Sequence, residues 1–125
     1  MADFMNNAVD GNDIVMKSTG DAQRAFCYIT DAVKAMMLVM LDGDKYTSYN
    51  IANEEEPMKI RDVAKELANI AKGNIKVVYK QDNDSSGYCK YVRVGLNTDK
   101  IRKLGWKPQI TLSEGLNRTY KSFII

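Results

Sequence analysis

The sequence contains no histidine and only two cysteines, Cys27 and Cys89, among its 125 residues. The lack of imidazole groups excludes His-based acid–base catalysis, Ser-His triads and most catalytic zinc sites. The two cysteines form no C-x-x-C pair, and we expect no disulfide in a reducing compartment. Cys27 lies in an apolar run, which predicts a buried thiol.

Long apolar runs and strong charge are also missing. No run approaches the ~20 apolar residues that a membrane-spanning helix needs, and the amino terminus lacks the basic and apolar regions of a signal peptide. The net charge of +2 is too small to indicate nucleic acid or an anionic membrane as a partner. These absences predict a soluble, cytoplasmic protein.

The sequence also lacks the usual motifs of nucleotide chemistry. It contains neither G-x-G-x-x-G nor G-x-x-x-x-G-K, and no tyrosine is followed four residues later by lysine. No pair of carboxylates stands in an apolar setting that would tune one of them as an acid. We therefore predict a binding domain with no catalytic, cofactor-binding or metal-binding residues of its own.

The residues that are present predict one globular domain over residues 1–125, with 45% hydrophobic and 27% charged residues. Helical periodicity, turn residues and cap residues predict a mixed α/β fold of about four helices with short strands and no complete Rossmann sheet. The four predicted helices cover 30–41, 60–71, 99–104 and a last segment from 112, and residues 3–9 could form a further short helix. The predicted strands cover 14–16, 25–29, 46–52 and 75–79.

Two of these segments allow more than one interpretation. The helix at 30–41 is apolar on almost every side, with Thr30 and Asp31 as cap-type residues at its start. A helix of this kind is buried all round, so we expect it to be the central helix or to pack on something outside this chain. The acidic loop at 53–57 is interpreted as a solvated turn rather than a metal site, because consecutive glutamates do not converge on one ion.

Arg24 and Arg93 are the candidate ligand-binding residues. Arg24 follows a glycine-containing turn and precedes an apolar strand, and Arg93 lies between a polar loop at 81–87 and the helix at 99–104. A planar guanidinium in such a place suits a phosphate group. A surface salt bridge is the alternative for each.

Five motifs in order carry a resemblance to a known family. They are Arg24-x-Phe26-x-Tyr28-Ile29-x-Asp31-Ala32, Tyr49-Asn50-Ile51, Ile60-Arg61-Asp62-Val63-Ala64, Leu104-Gly105-Trp106-x-Pro108 and Leu112-x-Glu114-Gly115-Leu116. Together they resemble the carboxyl-terminal half of the extended short-chain dehydrogenases, the NAD-dependent nucleotide-sugar epimerases, dehydratases and decarboxylases.

The resemblance implies a division of labour between two domains. In that family an amino-terminal Rossmann domain binds NAD and carries a Tyr-x-x-x-Lys pair, and a smaller domain closes over the nucleotide diphosphate of the sugar. This chain looks like the smaller domain alone. We therefore expect a UDP- or dTDP-linked sugar as its partner, NAD only on the absent domain, no turnover by this chain, and a monomer although the parent enzyme is expected to be a homodimer.

The resemblance also implies six substrate-binding residues. Arg24 would contact the ribose or diphosphate, and Phe26 would line the same pocket. Ile14 and Met16 would pass by the base, Ile60 would lie near it, and Arg93 would be a second diphosphate ligand.

A stand-alone interaction module is the alternative to a substrate-binding domain. The apolar helix at 30–41 would then contact a protein. The segment from Lys100 onward, which carries six basic residues and one acidic residue, would contact a polyanion.

Overall fold

Five helices and five short strands make up the described part of the chain, which is residues 1–71, 73, 75–80 and 91–124 of a computed structural model. The helices are α1 (Ala2–Val9), α2 (Ile29–Asp42), α3 (Ile60–Ile70), α4 (Asp99–Lys103) and α5 (Leu112–Phe123). The strands are β1 (Ile14–Met16), β2 (Gln23–Arg24), β3 (Met58–Lys59), β4 (Val77–Tyr79) and β5 (Arg93–Val94). The predicted mixed α/β class is confirmed. The predicted polar loop at 81–87 and Cys89 lie outside the described residues.

The strands form two small sheets. β1 pairs in parallel with β4, with Ile14 opposite Val77 and Met16 opposite Tyr79. β2 is the centre of a second sheet, antiparallel to β3 and parallel to β5. Within the described residues, neither sheet is a complete Rossmann sheet.

The larger apolar core lies between α1, β1, α3 and α5. The predicted periodicity of α3 is confirmed, because Val63, Ala64 and Leu67 are fully buried. α5 begins at the predicted cap, where the Thr111 hydroxyl accepts a hydrogen bond from the Glu114 N–H (3.2 Å). The apolar faces of these helices therefore enclose β1.

A smaller core of Ala35, Ile101 and Trp106 joins α2 to α4. The Trp106 indole N–H donates to the backbone carbonyl of Asp31 at 2.9 Å. The buried Asp31 carboxylate accepts the backbone N–H groups of Gln109 (2.8 Å) and Ile110 (2.9 Å) through one oxygen. Asp31 thus ties the start of α2 to the segment before α5.

The acidic loop at 53–57, which is predicted to be a solvated turn, also joins distant parts of the chain. Each glutamate accepts a hydrogen bond from a different later segment. The pairs are Glu54 with the Leu96 N–H at 2.7 Å, Glu55 with the Arg102 guanidinium at 2.9 Å, and Glu56 with the Leu112 N–H at 3.3 Å. The three side chains diverge rather than converging on one point.

Two predicted strands are wrong. The segment at 25–29 continues irregularly from β2 to Tyr28, which occupies the N-cap position of α2 instead of Thr30 or Asp31. The segment at 46–52 forms no regular strand, and Tyr46 has a φ of 58°. The side chains of Tyr49 and Ile51 are partly buried against the smaller core. Apolar and β-branched residues in both segments are used for side-chain packing rather than for a backbone ladder.

The expectation that the helix at 30–41 is buried on every side is also wrong. Only Asp31 and Ala35 of α2 are buried, whereas Met40 is 69% and Leu41 73% exposed. The alternative, that this helix packs on something outside the chain, is taken up below. Among the described residues, no helix combines the length and apolar character needed to cross a membrane.

Candidate functional site

A cavity of about 570 Å³ opens at the carboxyl end of β1. Its walls come from Asp3 and Phe4 of α1, residues 15–22, Arg24 of β2, Ile60 at the start of α3, and residues 91–92. Crevices at the carboxyl ends of parallel strands are common ligand sites in α/β folds. This cavity is the candidate functional site.

The turn between β1 and β2 shapes the floor of the cavity. Its Gly20 carbonyl accepts the Arg61 N–H (3.1 Å), and its Ala22 carbonyl accepts the Ile60 N–H (3.0 Å). These bonds satisfy the first N–H groups of α3, since the N-cap residue Lys59 makes no side-chain cap. The N–H groups of Ile60 and Arg61 therefore hold the turn and are not available to a phosphate.

Charges around the cavity are partly compensated. Asp21 forms an ion pair with Arg61. A hydrogen bond with the Thr19 side chain lowers the pKa of Asp21, against a smaller effect of desolvation, and the charges of Arg61 and Lys59 lower it further. Among the described residues, Lys17 and Arg24 are the cations of the cavity lining, and Asp3 and Asp21 are its carboxylates.

Arg24 is half-buried at the rim, and its guanidinium donates to the Gln23 carbonyl at 2.6 Å. In the sheet register Arg24 lies opposite Val94, whereas Arg93 lies opposite Gln23. Residues paired across strands share a face, and successive residues alternate faces. Arg93 is exposed and lies on the face opposite to Arg24, outside the cavity lining.

The structure places the other predicted site residues at different depths. Met16 and Ile60 line the cavity together with Arg24. Ile14 is fully buried in the larger core. Phe26 packs against that core and faces a second, mostly apolar cavity of about 390 Å³ between α1, the segment before α2, and α5.

Cys27 lines the second cavity as a half-buried thiol rather than a fully buried one. Burial raises the pKa of this thiol, and the nearby Asp31 charge adds to the effect. A thiol of this kind stays protonated near neutral pH and is a poor nucleophile.

Sequence reasoning missed Phe4, Lys17, Thr19 and Tyr91, which also line the cavity. Lys17 follows β1 directly and Thr19 comes two residues later, so their place after a strand was a usable signal. Phe4 and Tyr91 reach the site from α1 and from the segment before β5. No local pattern marks them, because the fold alone brings them to β1.

Known proteins resemble this chain in sequence and in fold. The sequence model of the NAD dependent epimerase/dehydratase family matches residues 1–52. The dTDP-glucose 4,6-dehydratase of Haemophilus influenzae is 33% identical over 97% of this chain and 38% of its own length. A probable GDP-L-fucose synthase 1 of Oryza sativa is 30% identical over 94% of this chain and 34% of its own length.

The chain is similar to extended short-chain dehydrogenases over almost its whole length. The UDP-glucose 4-epimerase of Thermotoga maritima, solved with UDP-glucose, shares the fold with a TM-score of 0.80 and 26% identity. That match covers 96% of this chain and 37% of the epimerase. The predicted resemblance is confirmed, and the chain spans about a third of the length of these relatives.

A dinucleotide does not fit the site as the family's Rossmann motif would hold it. That motif needs a glycine-rich turn leading from a strand into a helix. Here the turn after β1 leads into β2, and its carbonyls occupy the first N–H groups of α3.

Proposed function

We propose that the cavity beside Arg24 binds the nucleotide diphosphate of a UDP- or dTDP-linked sugar. The chain would thus be the substrate-binding part of a nucleotide-sugar epimerase or dehydratase. The observation that carries this proposal is the placement of Arg24 and Lys17 at a cavity with the apolar side chains of Phe4, Met16 and Ile60. A volume of about 570 Å³ is in the usual range for small-ligand sites.

The lining suits the parts of a nucleotide. The planar guanidinium of Arg24 can donate two parallel hydrogen bonds to a phosphate, and Lys17 adds a point charge. The aromatic rings of Phe4 and Tyr91 offer surfaces on which a base can stack. Of the two carboxylates in the lining, Asp21 is paired with Arg61, which reduces its repulsion of the phosphates, and Asp3 lies on α1.

The role of such a site is positioning. Binding energy from the remote nucleotide would hold the sugar in place for chemistry performed elsewhere. Hydride transfer would be supplied by NAD on the part of the enzyme that this chain does not represent. We expect the chain alone to bind without turning over substrate.

The alternative of a polyanion-binding segment after Lys100 has less support. Arg102 pairs with Glu55 at 2.9 Å and Arg118 pairs with Glu114 at 2.5 Å. The Lys100 ammonium lies 5.7 Å from the centroid of the Tyr49 ring. These basic groups are already engaged within the fold.

Calorimetric titration with UDP and with dTDP tests the proposal. We expect weak binding by the wild-type chain and roughly a 10- to 100-fold loss in Arg24→Ala, because a hydrogen bond to a charged group contributes about 1.5–3 kcal/mol. Arg118→Ala on α5, outside the cavity lining, is the matched control and should bind like the wild type.

Arg93→Ala distinguishes the two predicted arginines. From its place on the opposite sheet face we expect no loss of binding. Equal affinity of Arg24→Ala and the wild type, or no binding by the wild type at millimolar nucleotide, would contradict a preformed nucleotide site at Arg24.

A further inference from the structure

The segment at 91–96 contains β5 and forms one edge of the second sheet. Within the described residues, β5 pairs on one side only, with β2. The segment exposes large apolar side chains, which are Tyr91 (72%), Val92 (69%), Val94 (43%) and Leu96 (46%). Proteins usually protect an edge strand with charges, proline or a covering element, because an open edge is a template for another strand. This segment contains no proline, and Arg93 is its one charged residue.

The backbone of β5 directs its polar groups alternately towards β2 and towards the open side. The Val92 carbonyl accepts the Gln23 N–H at 2.6 Å, so the backbone groups of Val92 and, two residues on, Val94 belong to the β2 side. Arg93 and Gly95 alternate with them. Their N–H and C=O groups therefore point to the side that no described strand covers.

Glu54 holds the segment in place beyond the end of β5. Its carboxylate accepts the Leu96 N–H at 2.7 Å. By the same alternation this N–H belongs to the β2 side, so the contact with Glu54 leaves the outer groups of Gly95 unused. The segment thus presents a short edge that is fixed to its own chain along one side.

Two copies of this edge complement each other when they run antiparallel with Val94 opposite Val94. Arg93 of each copy then lies opposite Gly95 of the other, and these two residues exchange N–H···O=C bonds through their outward groups. Val92 lies opposite Leu96 on the face that also carries the Val94 pair. The register therefore matches donors with acceptors and apolar with apolar side chains, and it sets each Arg93 against a glycine rather than against the other Arg93.

We propose that the segment at 92–96 is a self-association edge, at which two copies of this chain pair through β5 about a twofold axis. The partner is a second copy because one segment satisfies both sides of the pairing, as a twofold interface requires. A strand pair of this length buries a small area, so we expect a dimer that dissociates on dilution. The proposal rests on the edge of β5 and is independent of nucleotide binding at Arg24.

A disulfide trap tests the register. Opposite residues in a non-hydrogen-bonded antiparallel pair have Cα atoms about 4.5 Å apart, a distance that a disulfide can span. In a Cys27→Ala/Cys89→Ala background, we expect Val94→Cys to form a covalent dimer in a glutathione redox buffer. Val92→Cys is the register control, because this more exposed residue lies opposite Leu96 and should be trapped about tenfold more slowly.

Val33→Cys is the matched control for surface exposure. Val33 lies on α2 and is 47% exposed, against 43% for Val94. If β5 is the contact, Val33→Cys should also be trapped about tenfold more slowly than Val94→Cys. The same variant reports on association through the exposed apolar side of α2.

Two further variants block the edge without touching its bonds to β2. Arg93→Pro removes an outward N–H, and proline is tolerated at the open side of an edge strand. Leu96→Lys places a charge opposite Val92 of the second copy. Added to Val94→Cys, each should slow trapping about tenfold while circular dichroism shows an unchanged fold. In sedimentation velocity the wild type should shift towards a dimer as its concentration rises, whereas Arg93→Pro should stay a monomer.

Three outcomes would overturn the proposal. Equal trapping of Val94→Cys and Val92→Cys would mean collision without a fixed register. Faster trapping of Val33→Cys than of Val94→Cys would make α2 the site of association. A wild type that stays monomeric at millimolar concentration, with no trapping of Val94→Cys, would mean that the edge does not pair with itself.

Discussion

Gly20 lies in the turn that forms the floor of the candidate nucleotide site, and its backbone φ of 69° is one that only glycine adopts readily. A Cβ built there would contact the Met16 side chain and come within 2.8 Å of the Arg61 backbone nitrogen. The neighbouring atom is backbone at the start of α3, so it cannot move aside without shifting the helix. Gly20 therefore allows the turn to approach α3 closely enough for both backbone hydrogen bonds.

We predict that Gly20→Ala destabilises the chain by about 1–3 kcal/mol beyond the cost of the backbone conformation, because it overpacks a closed contact. Gly11→Ala is the matched control, since Gly11 has a φ of 71° but nothing within 4 Å of the added Cβ. Urea unfolding followed by circular dichroism measures both. An equal loss of stability in the two variants would show that the close approach at Gly20 has no energetic weight.

The depth of individual residues was the least predictable part of the site. Ile14 and Met16 alternate with Val15, so the sequence assigns both to one buried face. The strand predicted over 14–16 is confirmed, but its sequence does not say that a cavity opens at the Met16 end while Ile14 lies inside the core. Arg24 was predictable from its place at the end of a glycine-containing turn. The opposite facing of Arg93 depends on the pairing of two-residue strands, which has no local signal.

At the scale of elements, Asp31 fixes the start of α2 relative to the segment before α5. Its carboxylate accepts two backbone N–H groups about 78 residues away in the chain, and Trp106 bonds to its carbonyl. Asp31→Ala would leave both N–H groups without this charged acceptor. We predict a loss of about 2–4 kcal/mol in the free energy of unfolding.

Asp42→Ala is the control for Asp31→Ala, because Asp42 is the exposed last residue of the same helix. A carboxylate at a helix carboxyl end is unfavourable, so its removal should change stability by less than about 0.5 kcal/mol or raise it slightly. Thermal unfolding compares the two variants. Similar midpoints would mean that the Asp31 hydrogen bonds do not hold α2 in place.

Helices with a clear apolar stripe were predictable. The wrong prediction for α2 concerned its burial on every side, and the reason is physical. The i, i+3, i+4 spacing of α3 identifies one buried face and one wet face. α2 is apolar on both sides, and a sequence does not distinguish a face buried by its own chain from a face that another part covers. The short strands were equally hard, because two or three residues carry too little alternation to separate a ladder from an extended, side-chain-packed segment.

At the scale of the whole molecule, the cavity at Arg24 and the exposed apolar side of α2 differ in how completely this chain forms them. The cavity at Arg24 is lined by α1, β1, β2, the start of α3 and residues 91–92 of this chain, so we expect the chain to bind nucleotide without a partner. By contrast, large apolar side chains of α2, such as Met40 and Leu41, are exposed in the described part of the chain. We expect both features of a substrate-binding part that is separated from its catalytic part.

We therefore predict that the isolated chain binds UDP or dTDP but does not convert dTDP-glucose in the presence of NAD. Oxidation of the sugar needs a hydride acceptor held against it and a group that takes the hydroxyl proton. The sequence offers no histidine and no Tyr-x-x-x-Lys pair for the proton. The turn after β1 leads into a strand, so it does not present a helix amino end to a pyrophosphate.

Chromatographic assay of dTDP-glucose after incubation with the purified chain and NAD checks this prediction, with the Haemophilus dehydratase as the positive control. Conversion above the buffer rate that survives further purification would place a reaction centre on this chain. In that case Arg24→Ala should be assayed as well. If the conversion fell with Arg24→Ala, the cavity itself would be that centre; if it did not, chemistry and nucleotide binding would lie at separate sites.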